Sequence, residues 1–153
     1  MKHTKNIILC FFLITSTLVL GQEDKEGFDK IKALKTAYFT EKLDLSSNEA
    51  QKFWPVYNLH SGKLHELRDQ LRRNIREKLK KVNGVDNLSE AEAKQIVEFG
   101  TATEKEIHQE ELLMVKELSE IISQKKIVKL KIAEYEFKKK LIGKLRGMRK
   151  NDD

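Results

Sequence analysis

This chain has few of the residues that punctuate or cross-link a fold. Its 153 residues include one cysteine and one proline, and aromatic side chains make up 7% of the total. A single cysteine, Cys10, excludes an internal disulfide scaffold. One proline among 35% charged residues favours long, solvated helices. No segment alternates like a strand. There is no HExxH, no glycine-rich phosphate loop and no paired nucleophile and base, so a non-enzymatic protein is expected and no cofactor is implied. No apolar run reaches the ~20 residues of a spanning helix. The longest is Ile7–Leu20, behind the basic head Met1–Asn6, with Val19 and Gly21 as small residues at its end.

That head, run and small-residue end form a secretory signal peptide with cleavage expected after Gly21. A retained anchor is the alternative. Cys10 lies too early in the run to be a lipidated residue after cleavage. Cleavage removes the only thiol along with Lys2 and Lys5, leaving 28 basic against 24 acidic side chains. A mild basic excess outside the cytoplasm does not point to nucleic acid. The expected organisation is a signal peptide over 1–21 and one helical domain over 22–153, in the periplasm.

Three segments share a local grammar: Leu45–Ala50, Leu88–Ala93 and Ile122–Ile127. Each places a serine after an apolar residue and a polar side chain three positions later. Serine accepts an orphan N–H of a first helical turn. Glu49 and Glu92 complete capping boxes, whereas Lys126 leaves the third incomplete. The spacing predicts helix starts at Ser46, Ser89 and Ser123, and a shorter first helix over Phe28–Leu43. Apolar steps of three and four run from Phe53 to Val82, from Ala93 to Ile121 and from Ile127 to Met148. Asn83–Asn87 is a turn. The fold class is therefore all-α: a long antiparallel helical hairpin, with the N- and C-terminal helices packed at its open end. Folding at Val85–Asp86 pairs Phe53 with Leu118, Leu71 with Gly100, Arg73 with Glu98 and His60 with Glu111. The tip near the turn has only a thin apolar stripe and calls for a second subunit or mobility.

Phe53, Trp54 and Tyr57 lie at the open end, with Pro55 expected to kink the helix. A packing corner is the ordinary reading of this cluster. Trp54, off the Phe53–Tyr57 stripe, is the candidate for client contact, together with Arg68, Arg72 and Arg76 of the basic rim. Glu104, His108 and Glu111 share a helix face and could hold a divalent metal, although a charged surface is the commoner meaning of such a pattern. His60 facing Glu111 in a partly dry seam suggests a pH-sensitive layer that mild acid tightens. The C-terminal run Phe137–Asp153 is basic and amphipathic. It suits contact with anionic lipid or an acidic partner, or simply a last helix whose cations complement its dipole.

The signal peptide, the repeated Leu-Ser-x-x-polar helix starts and the hairpin together resemble the LTxxQ-motif, Spy/CpxP-like exported proteins. The stretches LDLSSNEAQKFWPVYN and ISQKKIVKLKIAEYEFKKKL resemble more closely the small exported proteins labelled "sensor of ECF-type sigma factor". Serine stands here for the motif's threonine, and Glu49, Glu92 and Lys126 for its glutamine. The resemblance implies a cradle-like, dimeric periplasmic protein that binds unfolded clients or a regulatory partner, as a chaperone or an envelope-stress sensor. A heavy-metal-responsive sensor is the alternative it implies.

Overall fold

The computed structural model describes the backbone of residues 20–151 and the side chains of residues 30–143. The signal-peptide expectation rests on residues 1–19 and lies outside them. Four α-helices follow in order: α1 (Leu20–Leu43), α2 (Ser47–Lys81), α3 (Glu90–Ser119) and α4 (Gln124–Asn151), with a 3₁₀ turn at Val85–Asn87. There is no strand among the described residues, and none of the helices is long and apolar enough to cross a membrane. The all-α class read from the sequence is the class observed.

The three serine caps form where the sequence places them. Ser46 Oγ accepts from Glu49 N at 3.3 Å, and Glu49 Oε2 accepts from Ser46 N at 2.8 Å. Ser89 and Glu92 repeat the reciprocal pair at 3.3 and 2.9 Å. Ser123 Oγ accepts from Lys126 N at 3.4 Å. The end of α2 is a Schellman stop: Gly84 N donates to Leu79 O at 3.0 Å and Asn83 N to Lys80 O at 3.4 Å. Asn83 is left-handed (φ 60°) and Gly84 sits at φ 124°, ψ 169°, a region only glycine enters without strain.

One boundary differs from expectation. Helix α1 begins at Leu20 rather than Phe28, because Gln22–Lys25 are compatible with helix and no cap intervenes. Pro55 lies inside α2, as expected, and the helix runs on through it as a single element of 35 residues. Helix α4 reaches Asn151, past Gly143 and Gly147.

The backbone divides into two compact units, residues 43–132 and residues 1–42 with 133–153. In the first, α2 and α3 pack along each other as a hairpin. Its core holds Leu43, Phe53, Tyr57, Leu64, Met114, Leu118, Ile122, Ile127 and Leu130. Phe53 and Tyr57, four residues apart on one face, stack at 5.4 Å between ring centroids. Toward the turn the seam thins: no residue from 65 to 102 is fully buried. At its middle, a methyl group built on Gly100 would lie 3.9 Å from Leu71 Cδ1, so this pair meets as the turn position predicts.

In the other unit α1 pairs with α4. Phe39 is fully buried and meets Phe137 edge-on at 6.0 Å. Tyr38 Oη donates to Glu136 Oε2 at 2.5 Å, and Lys42 Nζ lies 3.3 Å from the same oxygen. The Tyr38 hydrogen bond holds the Glu136 carboxyl below its ordinary range, helped by Lys42, and the same bond pushes the Tyr38 hydroxyl up.

Candidate functional site

The hairpin's two helices carry opposite charge. Helix α2 has nine Lys and Arg against four Asp and Glu. Helix α3 has eight Glu against three Lys. Where the rods touch, the difference becomes contact: Arg68 Nη2 meets Glu111 Oε1 at 2.7 Å, and Lys78 Nζ meets Gln95 Oε1 at 3.5 Å. Away from the seam it stays in solvent. Arg72 turns to Asp69 on its own helix, and Arg76 is exposed. The basic rim formed by Arg68, Arg72 and Arg76 thus lies along one helix at steps of four, with only its first member tied across the seam. Leu59 on α2 and Val97, Leu112 and Leu113 on α3 are exposed apolar side chains of this unit.

The aromatic corner is chiefly core. Phe53 and Tyr57 are buried, and Trp54 rests edge-on against both rings at 5.0 and 5.8 Å. Trp54 is half-buried, so part of the indole is available to a partner while its orientation is set by Phe53 and Tyr57.

His60 is the most buried polar residue of the seam, at 2% exposure. Its partner is not Glu111. Nδ1 meets Glu110 Oε1 at 2.6 Å and Nε2 lies 3.2 Å from Glu117 Oε2. The second contact has ion-pair distance without hydrogen-bond geometry, which leaves Nε2 unpaired as a donor. Lys63 Nζ approaches Glu110 from the rim at 3.5 Å. Glu110 and Glu117 are seven residues apart and share one face of α3. Glu111 is rotated about 100° from that face, which is why it reaches Arg68 instead. The seam partner of His60, read as Glu111, is thereby corrected to Glu110 with Glu117 beside it.

No chain or comparison gives the site a family. No protein-family model, curated protein or solved structure matches this chain. Among the described residues, no group of three or more His, Cys, Asp or Glu could hold a metal ion. Glu104, His108 and Glu111 share a stretch of α3 without converging, and the third is engaged by Arg68.

Sequence reasoning overlooked a clasp at the helix starts. Lys126, the residue that breaks the third capping box, reaches across to the first. Its ammonium donates to Glu49 Oε2 at 2.7 Å and to Asp44 O at 2.5 Å. The Lys126 bond, with the backbone bond from Ser46, lowers the Glu49 carboxyl from its ordinary 4.5 to about 2. A lysine at the third position of one capped turn, with an acid at the same position of another, is the one sequence signal that could have revealed it.

Proposed function

We propose that this chain is an exported, non-enzymatic binding protein of the Spy/CpxP-like kind, an envelope-stress sensor or chaperone-like protein acting in the periplasm after cleavage at Gly21. Its clients are partly unfolded proteins or a regulatory partner, bound along the hairpin, with Trp54, Arg68, Arg72 and Arg76 as contact residues. The observation that carries this reading is the charge division of the hairpin: a cationic rod beside an anionic one, with Leu59, Leu112 and Leu113 exposed in the same unit. A surface that offers both signs and scattered apolar side chains suits amphipathic segments of varied sequence better than a single rigid ligand. A homodimer agrees with the same feature, since a cationic and an anionic edge on one molecule are self-complementary about a two-fold axis. The thin seam over residues 65–102 is where such a partner would add burial.

The test is aggregation of a denatured model client at stoichiometric protein, for wild type and for Arg68→Glu, Arg72→Glu, Arg76→Glu combined. Suppression that weakens in the triple variant supports the reading; no suppression by wild type removes its chaperone form. Sedimentation equilibrium at low and high salt decides the dimer, which is expected to dissociate as salt screens the paired edges. N-terminal sequencing of the exported protein decides the cleavage.

A further inference from the structure

Helix α4 uses one face against α1 and leaves another exposed among the described residues. Within the α1–α4 unit, Phe137 points inward to Tyr38 and Phe39, with ring centroids at 5.8 and 6.0 Å. Two residues before it, Tyr135 is 69% exposed, and one heptad on from that, Ile142 is 40% exposed. Seven residues are two turns, so these two side chains stand in line on one face. Lys138 and Lys139 fall between them, and with Gly143 the five residues line a shallow groove.

The charges around this face have one sign. The acids of this stretch of α4 are committed inward. Glu136 accepts from Tyr38 and pairs with Lys42, and Glu134 acts on Lys35 of α1. Lys140 lies over the Tyr38 ring at 4.6 Å, on the far shoulder of the helix. The sequence from Lys138 to Lys150 holds seven Lys and Arg and no Asp or Glu. A helix face with large apolar side chains in line, lysines around them and no competing carboxylate is complementary to an anionic bilayer surface. The apolar groups enter the headgroup boundary and the ammoniums meet phosphates.

We propose that this face of α4 docks on anionic lipid, with Tyr135 and Ile142 as the inserted anchors and Lys138 and Lys139 as the phosphate contacts. A second copy docked here would have to bring its acidic α3, and in the homodimer proposed above that edge is taken by the cationic α2. The face belongs to the α1–α4 unit, whereas the proposed client contacts belong to the hairpin.

The experiment uses the full chain with a reporter at the face itself, so that binding through any other segment is silent. Tyr135→Trp is made in a Trp54→Phe background. It is mixed with phosphatidylcholine vesicles, with or without phosphatidylglycerol, and brominated acyl chains serve as quencher. The expected result is a blue shift and quenching with the anionic vesicles only. Lys138→Gln with Lys139→Gln should weaken that partitioning by about 30-fold, at about fivefold per cation. Ile142→Ser, on an exposed position, should weaken it while leaving far-UV circular dichroism unchanged. An emission spectrum indifferent to anionic vesicles overturns the proposal, as does equal quenching on phosphatidylcholine alone. A blue shift without lipid, accompanied by a dimer in sedimentation, assigns the face to a second copy and also overturns it.

Discussion

Two helical glycines offer a direct test of the hairpin seam. Gly62 in α2 has nothing within 4 Å of where a Cβ would be, and Gly100 in α3 has only Leu71 Cδ1, at 3.9 Å. Both lie inside helices, where glycine is disfavoured relative to alanine by about 0.8–1.0 kcal/mol. Gly62→Ala should therefore stabilise by about 1 kcal/mol through helix propensity alone. Gly100→Ala adds a methyl in ordinary van der Waals contact with Leu71. Its site is half-buried, so it recovers roughly half of the ~0.8 kcal/mol of a fully buried methylene, for a total near 1.3 kcal/mol. The two sites share no partner, and their effects should add to about 2 kcal/mol. The assay is urea unfolding followed by circular dichroism, with midpoints rising and slopes unchanged. In thermal scans the double variant should melt about 4–8 °C higher. A loss of stability in Gly100→Ala would refute the reasoning, because it would mean that the rods approach more closely at Leu71 than van der Waals contact allows. A loss confined to Gly62→Ala, and only at dimer-forming concentrations, would place a partner against that open face.

Other outcomes follow from the caps, the seam and the turn. Gly84→Ala puts a side chain at φ 124° and should destabilise by roughly 1–3 kcal/mol in the same urea assay. His60→Leu leaves the carboxylate of Glu110 without its 2.6 Å partner in the seam and should destabilise by roughly 1–3 kcal/mol; Leu67→Ala, nearer the thin tip, should not reproduce the loss of the Glu110 contact seen by NMR. Glu49 titrates low when folded, so its contribution to stability is full above its ordinary 4.5 and is lost as pH falls through about 2. Glu49→Gln should flatten the acid limb of a melting-temperature profile across that window, and Lys126→Met should narrow the window by raising the carboxyl. Tyr38→Phe should raise the Glu136 titration midpoint toward the ordinary carboxylate range in a carbon-detected NMR titration, since the tyrosine hydrogen bond is the largest cause of its depression.

What the sequence made legible was whatever its local patterns encode. Ser46 with Glu49 and Ser89 with Glu92 announce helix starts because a capping box is closed within four residues. Asn83-Gly84 announces the turn because it must supply two residues at positive φ. The turn in its place then brings Leu71 to Gly100 with no further information. Long-range pairing was legible only to within one residue, and on a helix one residue is about 100° of rotation. That is enough to exchange Glu111 for Glu110 at His60 and to leave the expected Arg73–Glu98 pair unmade, with Glu98 turned to Lys94 at 3.8 Å on its own helix. The division of the backbone into two units had no sequence signal, since α4 runs through the boundary without a glycine or proline. The charge division of the hairpin was countable from the start but becomes meaningful only once the two stretches are known to lie side by side.

The Lys126 clasp has a bearing on synthesis. Its ammonium lies 77 residues downstream of Glu49, so a growing polypeptide can finish both rods and their turn before the clasp residue exists. Until then the start of α2 stands on its own box and the chain between Leu43 and Asp44 is held by nothing from the far end. Products that stop short of Ser123 would keep helices but lack Ile127 and Leu130 over the core, presenting Phe53 and Leu118 to whatever surrounds the ribosome. The segment that begins at Ser123 thus closes a core that the earlier helices leave open.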